Sequence, residues 1–502
     1  MIFNPMKLFY FALFCGIALP TSAQSQDVDD ALRKTLLLHK ELVSIPNLPE
    51  DEASMLKNIN WVADYYQKLD FKTTLLPSST LPLLLAEKVF NPKFKTVLFY
   101  FHIDGQPANK ANWDQENPFT PVLKKQDSAG NWQNLDWHAL DSKIDDEWRI
   151  FARAAADDKA PIIMFLAALE QLDAQNKKPN FNIKVIFDPE EEYGSSALLS
   201  TLPINKERYA SDYFIVMDGP AHDSNKPTVT FGCRGIVTCS ITTYGASLPQ
   251  HSGHYGNYVP NPIFSLAKLL STMKDDKGYV LIKDYYKGIN LSPEITDILK
   301  SIPYDSVALN SQLGIFTSEK IGNNYQEALQ YPSLNIRQIG TSWSGENLKT
   351  VVPEFAKADL DVRLVSETEA QIQLEKIRTH IVKQGYYVID HDPTAEERAT
   401  HPKIAKFIAN EGINAFRTDL DSPFGKTISN SLSKAFKEEP IKIRMMGGTV
   451  PIVPVINALN IPTLIIPMVN MDNNQHSPNE NIRIGNMRQG IQICLALLQT
   501  NL

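Results

Sequence analysis

The sequence predicts an α/β fold, in which helices cover a mixed, mostly parallel sheet and a smaller α+β domain is inserted into the chain. Two observations support this prediction. Apolar segments of strand length alternate with apolar-faced helical segments up to about residue 217, which is the pattern of a parallel sheet with helices on both faces. From about Gly235 the pattern changes to alternating β-type segments, and the first pattern resumes after residues 390–419.

The elements follow in chain order. Residues 27–70 are predicted to be helical, because leucines and aromatic residues recur there at helix spacing. Further elements of the α/β domain are expected at residues 96–102 (strand), 159–172 (helix), 181–187 (strand) and 213–217 (strand). The inserted domain has β-type segments at 236–244 and 358–364, after which a helix at 426–436 and a strand at 462–469 return to the α/β domain. The predicted division is therefore 24–235 and 416–502 for the α/β domain and 236–415 for the inserted one.

Residues 1–23 have the layout of a secretory signal peptide. Lys7 precedes a mostly apolar run over residues 8–19, and small residues up to Ala23 supply a cleavage site. The run is shorter than the roughly 20 residues of a membrane-spanning helix. We therefore expect cleavage after Ala23 and a periplasmic or secreted protein that does not stay at the membrane, with an uncleaved N-terminal anchor as the alternative.

Composition excludes one class of partner and one kind of framework. The net charge is -8 and no block of lysine and arginine occurs, so nucleic acid is not an expected partner, whereas small molecules and short peptides are. Three cysteines remain after the predicted cleavage, Cys233, Cys239 and Cys494. Because an odd number does not make a disulfide framework, all three are expected to be buried or free thiols.

Metal-capable side chains recur where an apolar strand or its following loop ends. Five motifs contain them: FHIDG (His102, Asp104), ARAAADDKA (Asp157, Asp158), PEEEYGS (Glu190, Glu191, Glu192), IVMDGP (Asp218) and HSPNENI (His476). In open α/β sheets ligands gather at the carboxyl ends of the strands, so these residues can converge. Asp104 lies two residues after His102 on the same side of a strand, where it can bond the ring nitrogen that is not on a metal.

The number of these residues favours two metals. Two histidines and three carboxylates exceed what one tetrahedral zinc requires, and they suit two cations that share a bridging carboxylate. Two metals ~3.5–4 Å apart can hold a hydroxide between them and polarise a carbonyl, and a further carboxylate can act as general base. The acidic triplet can supply both a ligand and that base, while a solvated acidic turn is the alternative interpretation.

Taken together, the motifs resemble those of the co-catalytic zinc exopeptidase family that includes carnosinase, cytosolic non-specific dipeptidase, carboxypeptidase G and aminoacylase. The resemblance extends from about Asp27 to the C-terminus. It is greatest for the carnosinase and dipeptidase branch, to which PTVTFGCRG, HSGHYGN, YPSLNI, KTVVPEFAKADLDVRLV, GGTVP and HSPNENI are similar. It implies a zinc-exopeptidase-like, three-layer catalytic domain, an inserted lid and dimerisation domain, a homodimer, and two Zn²⁺ per subunit, with Mn²⁺ or Co²⁺ as alternatives.

The resemblance also implies roles for the matching residues of the metal centre. Glu191 would be the general base, and Asp104 would orient His102. Five residues would be metal ligands: His102 and Asp218 on one zinc, Glu192 and His476 on the other, and Asp157 between them.

Four further matches concern the substrate. His251 would reach the active site of the partner subunit and stabilise the oxyanion. Arg363 would grip a substrate carboxylate, for which the guanidinium fork is well shaped. Gly448 and Thr449 would offer backbone and hydroxyl contacts to the same carboxylate.

One stretch departs from the family pattern. The family has glycines around the bridging aspartate, in the form G-R-G-x-x-D-x-K-G, where this chain has Ala152, Ala154 and Ala160. If those glycines need backbone angles that are closed to alanine, the loop must differ locally.

The sequence thus predicts an exported dizinc exopeptidase that acts on dipeptides or short peptides, with carboxylate binding favouring release of the C-terminal residue. An amidohydrolase of N-acyl amino acids would use the same metals and base with a different pocket. A binding or scaffold protein with an inactive centre is a third hypothesis, against which the retained Glu191 and the complete ligand set argue.

Overall fold

The protein is described by a computed structural model over residues 22–142, 144–343 and 345–502. The predicted signal peptide lies almost entirely outside these residues and stays a prediction. Within them, no helix is long and apolar enough to span a bilayer. The three cysteines at positions 233, 239 and 494 are free and buried, as predicted.

The chain forms twenty-one strands within the described residues. They are β1 (Lys72–Leu76), β2 (Leu83–Lys88), β3 (Thr96–His102), β4 (Val122–Gln126), β5 (Trp132–Leu135), β6 (Arg149–Phe151), β7 (Asn182–Asp188), β8 (Tyr213–Val216), β9 (Thr228–Thr230), β10 (Gly232–Cys233), β11 (Gly235–Tyr244), β12 (Gln250–His251), β13 (Asn335–Gly340), β14 (Val351–Val352), β15 (Phe355–Leu364), β16 (Tyr387–Ile389), β17 (Ile404–Ala409), β18 (Phe416–Arg417), β19 (Ile441–Ile443), β20 (Thr463–Ile465) and β21 (Asn481–Arg483).

Fourteen α-helices accompany these strands in the described part of the chain. They are α1 (Ser22–Val43), α2 (Glu52–Lys68), α3 (Lys159–Ala174), α4 (Ser196–Tyr209), α5 (Ser252–Tyr255), α6 (Pro262–Ser271), α7 (Pro293–Ser301), α8 (Ser306–Leu313), α9 (Tyr325–Ala328), α10 (Ala370–Lys383), α11 (Ala395–Thr400), α12 (Pro423–Phe436), α13 (Val453–Leu459) and α14 (Ile484–Leu498).

The central sheet has eight strands in the order β1-β2-β7-β3-β8-β20-β9-β19. Its four middle strands, β7, β3, β8 and β20, run parallel to one another, while β1, β2 and the β9–β20 pair are antiparallel. The carboxyl ends of the four middle strands therefore meet at one edge. The predicted mixed, mostly parallel sheet is confirmed.

Helices cover both faces of this sheet. In β3 the odd-numbered apolar residues, such as Phe99, pack into a core with α1, α2, α3, α12 and α14. The even-numbered residues, such as Tyr100, pack into a second core with α4 and α13. Because side chains alternate between the faces of a strand, one buried strand contributes to both cores and a three-layer domain results.

A second, five-stranded sheet forms the inserted domain in the order β13-β15-β11-β17-β16. Its long antiparallel pair, β11 and β15, buries one face against α6 and α10. All strands of this sheet lie between residues 235 and 409, and those of the central sheet lie outside that range. The predicted α+β insertion is confirmed, while the proposed boundaries stay predictions.

A small antiparallel sheet that the sequence did not predict lies beside the central one. Its order is β21-β6-β4-β5. β6 leads into the loop that carries Asp157, and β21 follows the loop that carries His476. The pairing of Asn481 with Phe151 therefore brings these two loops side by side.

Two of the expected elements differ from the prediction. The helical region at 27–70 is two helices, because Pro46 and Pro49 lie between α1 and α2, where proline and the residue before it disfavour the helical backbone. The strand expected at 462–469 is limited to Thr463–Ile465. The other elements agree with the prediction to within three residues at each end.

Candidate active site

Two groups of ligand-type side chains lie at the carboxyl edge of the parallel strands. One consists of His102, Asp158 and Asp218, and the other of Asp157, Glu192 and His476; in each group the ligand atoms lie within 4.8 Å of one another. His102 ends β3, and Asp218 follows β8 by two residues. The parallel strands thus bring together residues that are far apart in the sequence.

Asp157 lies between the two groups. Its Oδ1 is 2.9 Å from His102 Nε2, and its Oδ2 is 3.1 Å from His476 Nε2. His476 Nε2 is also 3.1 Å from Glu192 Oε2, and His102 Nε2 is 3.9 Å from Asp218 Oδ1. A carboxylate whose two oxygens face two different histidines is suited to bridging two cations.

Asp104 connects the end of β3 to the glutamate turn. Its Oδ1 accepts a hydrogen bond from the Nδ1–H of His102 at 3.3 Å. The same carboxylate accepts the backbone N–H groups of Glu191 and Glu192, both at 3.0 Å. Asp104 is completely buried, so it fixes the imidazole and the turn relative to each other.

The three adjacent glutamates have different surroundings. Glu190 is buried and caps α4, because it accepts the N–H of Ala197 at 2.9 Å and the hydroxyl of Thr80. Glu192 faces His476 and accepts a hydrogen bond from Gln106 at 2.9 Å. In the described part of the chain, no group hydrogen-bonds to the carboxylate of Glu191, which leaves it available for proton transfer.

The electrostatics of the centre call for positive charge. Burial, reinforced by nearby Asp218 and Glu192, raises the pKa of Glu191 well above its usual range. Burial likewise raises the pKa of Asp218 to about 6. Hydrogen bonds to Asp157 and Glu192 raise the pKa of His476 to about 10. Because buried carboxylates are retained when they are paired or coordinate metals, and because nitrogen and carboxylate oxygen are zinc-type ligands, the residues present fit two divalent cations.

Asp158 was noted in the sequence as a metal-capable residue, but the resemblance assigned it no role. The structure groups it with His102 and Asp218. Its Oδ2 accepts the backbone N–H of His102 at 3.2 Å, and its Oδ1 is buried without a partner among the described residues. The peptide bond between Asp157 and Asp158 is cis.

Two of the predicted substrate-binding residues contact each other. Arg363, on β15, donates to the hydroxyl of Thr449 at 2.9 Å, and that hydroxyl donates to the backbone carbonyl of Arg234 at 2.6 Å. Gly448 immediately precedes Thr449. Neither Arg363 nor Arg234 has an ion-pair partner in the described part of the chain, and the Nε of Arg234 is buried without a hydrogen bond. Two guanidinium groups without a carboxylate partner suit an anionic ligand.

His251 belongs to neither group of metal-type ligands. It is exposed on β12 in the inserted domain, where its Nδ1 accepts the N–H of Gly253 at 3.1 Å and its ring lies 4.6 Å from that of His254. Within the described residues it makes no hydrogen bond to the metal-type ligands. Its predicted role, which requires a second subunit, stays a prediction.

The comparisons with known proteins agree with this geometry. The model of Peptidase family M20/M25/M40 matches residues 98–500. The chain belongs to this family. Its family is one of peptidases, and its relatives include metallodipeptidases, so the prediction of a metal-dependent hydrolase of peptide bonds is confirmed.

Relatives of this M20/M25/M40 peptidase agree with the predicted branch. A Cys-Gly metallodipeptidase of Schizosaccharomyces pombe is 26% identical over 442 residues, covering 85% of this chain and 83% of the relative. The human Beta-Ala-His dipeptidase is 24% identical, covering 83% of this chain and 76% of the relative. The resemblance to the carnosinase and dipeptidase branch is thereby confirmed.

Solved structures show the same fold. An M20 family metallo-carboxypeptidase from Sulfolobus solfataricus superposes with a TM-score of 0.72 at 26% identity, covering 93% of this chain and 98% of that one. Human carnosine dipeptidase 1 superposes with a TM-score of 0.67 at 23% identity, covering 94% and 97%.

The three alanines around Asp157 that replace the family's glycines are buried, and one of them has an unusual backbone conformation. Ala152, Ala154 and Ala160 are all completely buried. Of the three, only Ala154 has a left-handed backbone, with φ +58°. The expected departure from glycine therefore matters at Ala154, where an L-residue is disfavoured.

Glu480 is a residue of this loop region that the sequence did not single out. It lies in the motif HSPNENI, four residues after His476, and its side chain is 1% exposed. Its carboxylate accepts hydrogen bonds from the loop that carries Asp157. The signal was present only as a second acidic residue in a motif that the histidine had already explained.

Proposed function

We propose that the protein is an exported dinuclear metallodipeptidase that hydrolyses dipeptides or other short peptides. The observation that carries this proposal is Asp157, whose two oxygens face His102 and His476, with the unbonded carboxylate of Glu191 beside them. Zn²⁺ is the expected metal, since histidine and carboxylate ligands suit it, and Mn²⁺ or Co²⁺ are the alternatives. His102 and Asp218 would hold one cation, Glu192 and His476 the other, and Asp157 would lie between the two.

When bound, the two cations would polarise the scissile carbonyl and lower the pKa of water. The residues of the chain supply the remaining functions. Glu191 is the proposed general base, which takes a proton from the attacking water and passes it to the leaving amine. Glu190 is occupied as a helix cap and Glu192 faces His476, which supports Glu191 as the member of the triplet that transfers protons.

Substrate orientation is proposed for residues of both domains, with Arg363 on β15 of the inserted domain and Thr449 in the second segment of the α/β domain. Arg363 and Thr449, which are hydrogen-bonded to each other, would bind the carboxylate at the C-terminus of the substrate, with the backbone of Gly448 beside them. Bidentate recognition of a carboxylate by arginine fixes geometry as well as charge. This arrangement favours release of the C-terminal residue, in keeping with the dipeptidase names of the relatives.

A homodimer and export complete the proposal. His251 is exposed and, among the described residues, makes no hydrogen bond to the metal-type ligands of its own chain; its proposed role is to stabilise the oxyanion in the active site of a partner subunit. The layout of residues 1–23 supports export to the periplasm or to the medium. Cys-Gly and β-Ala-His, after which the relatives are named, are the first dipeptides to test.

The test compares the chain that begins at residue 24 with its Glu191→Gln variant on a panel of dipeptides, with bound metal measured in both. We expect two metals per subunit in each protein and hydrolysis by the wild type, while the variant loses several orders of magnitude in kcat. A variant that retains wild-type kcat would refute the assignment of the base. If both proteins hold two metals and neither cleaves a dipeptide, the dipeptidase proposal is wrong, and N-acyl amino acids are the next substrates.

A further inference from the structure

We propose that Glu480, paired with Arg153, is a positioning residue that holds the bridging carboxylate of Asp157 and so sets the affinity of the centre for its metals. This inference rests on the proposed dinuclear centre. It concerns neither a ligand nor the base, and it assigns a purpose to the buried ion pair behind the metal-type residues.

Each carboxylate oxygen of Glu480 accepts two hydrogen bonds. Oε1 accepts the backbone N–H groups of Ala156 and Asp157, both at 3.0 Å. Oε2 accepts the N–H of Ala154 at 2.9 Å and the guanidinium of Arg153 at 2.7 Å. Three backbone N–H groups that converge on one carboxylate form an anion-binding nest. One of these N–H groups belongs to Asp157 itself. Its hydrogen bond to Glu480 Oε1 therefore holds the backbone of the proposed bridging residue.

The ion pair between Glu480 and Arg153 is buried, so the loss of either charge has a large energetic effect. The side chains of Glu480 and Arg153 are 1% and 3% exposed. An ion pair removed from water depends on each partner, because loss of one leaves the other as an uncompensated buried charge. Loss of the Glu480 charge would therefore leave Arg153 uncompensated, and a glutamine would put an NH2 donor where one of the two accepting oxygens now binds the N–H groups of the loop.

The same residue also fixes the position of His476. Glu480 lies four residues after His476, and its backbone carbonyl accepts the N–H of Ala152 at 3.1 Å. The next residue, Asn481, begins β21 and pairs with Phe151 at the end of β6. The segment that carries one ligand thus grips the segment that carries another, and Asp157 and His476 are held at a set separation before any metal binds.

This arrangement also accounts for the left-handed alanine. The backbone at Ala154, with φ +58°, accompanies an N–H that bonds to Glu480 Oε2. A charge-assisted hydrogen bond is stronger than a neutral one, so it can offset the disfavoured conformation. The loop therefore adopts a conformation typical of glycine without having one.

The experiment is a zinc titration of the metal-depleted chain from residue 24, with affinity measured by competition with a chelator of known affinity. We expect Glu480→Gln to bind zinc about 10- to 100-fold more weakly than the wild type, as is usual when a group that orients metal ligands is lost. Glu480→Asp retains the charge, so its zinc affinity should lie between those of the wild type and Glu480→Gln. It replaces the glutamine variant in the test if that variant does not fold.

The matched control is Glu327→Gln in the inserted domain. Glu327 is also buried, and it accepts hydrogen bonds from the backbone and side chain of Asn323 at 3.1 and 2.8 Å. Its variant should bind zinc with wild-type affinity even if its unfolding temperature falls.

Wild-type zinc affinity in folded Glu480→Gln, or in Glu480→Asp if the glutamine variant does not fold, would overturn the inference, as would an equal loss in Glu327→Gln. Failure of the proposed function is distinguishable, because a wild type that binds two zinc ions and cleaves no dipeptide still permits the affinity comparison. A wild type that binds no divalent cation overturns both.

Discussion

Replacing Ala154 by glycine tests whether the loop around Asp157 has the backbone that the structure gives it. Ala154 has φ +58° and is completely buried. A left-handed conformation costs an L-residue about 1–2 kcal/mol, which glycine does not pay. Two contributions destabilise the glycine variant. It loses the burial of a methyl group, about 0.8 kcal/mol, and the greater chain entropy of glycine stabilises its unfolded state by about 0.4–1 kcal/mol. The opposing contributions nearly cancel, so Ala154→Gly should change the free energy of unfolding by less than about 1 kcal/mol.

Ala152→Gly is the matched control for this prediction. Ala152 lies in the same loop and is equally buried, but its φ is not positive. It therefore suffers both losses without the relief, and we expect a destabilisation of about 1–2 kcal/mol. The assay is urea unfolding of the metal-free protein, with the three midpoints compared. If Ala154→Gly lowers the midpoint as much as Ala152→Gly, the left-handed assignment and the reasoning based on it are wrong.

Two further predictions concern the surroundings of the centre. Arg363→Gln should raise KM for dipeptides roughly tenfold to hundredfold, which is the usual effect of losing a hydrogen bond to a charged group. The KM for the corresponding dipeptide amides, which have no terminal carboxylate, should not change. An equal effect on both substrates would contradict binding of the carboxylate by Arg363. His39 donates from Nε2 to the carbonyl of Ala155, and burial lowers its pKa to about 3. Because only the unfolded state takes up this proton between about pH 6.5 and 3, stability should fall by roughly 1.4 kcal/mol per pH unit as the pH drops through that window. The free energy of unfolding of the metal-free protein should therefore depend less on pH in His39→Gln than in the wild type. Parallel curves of this free energy against pH would refute the lowered pKa of His39.

The sequence predicts the central strands well because their patterns are long. β3 was expected at the residues where it occurs, since an apolar run ending in a histidine fits a strand buried on both faces. Parallel neighbours then bring the ends of β7 and β8 to the same edge, so that His102, the glutamates and Asp218 could be expected to meet. These inferences needed only the alternation of elements and the general position of ligands in open sheets.

The small antiparallel sheet shows where such reasoning fails. β6 and β21 have three residues each and pair across some 330 positions of the chain. Three residues do not establish a period, and nothing local identifies the partner of so short a strand. The contact between Glu480 and the loop of Asp157 depends on this pairing, so it was not visible in the sequence even though both motifs had been recognised.

The acidic triplet combines both situations. The sequence indicated that Glu190, Glu191 and Glu192 could supply a ligand and a base, but like charges side by side do not reveal which residue has which surroundings. The backbone separates them: Glu190 turns back to cap α4, whereas the single 3₁₀ turn at Glu191–Tyr193 directs the next two onward, with both of their N–H groups held by Asp104. Asp104 thus fixes His102 and the turn with one carboxylate. The carboxylates of Glu190 and Glu192 have different partners, whereas that of Glu191 accepts no hydrogen bond among the described residues. That difference, which arises from the turn and not from residue type, is the structural reason to expect proton transfer at Glu191.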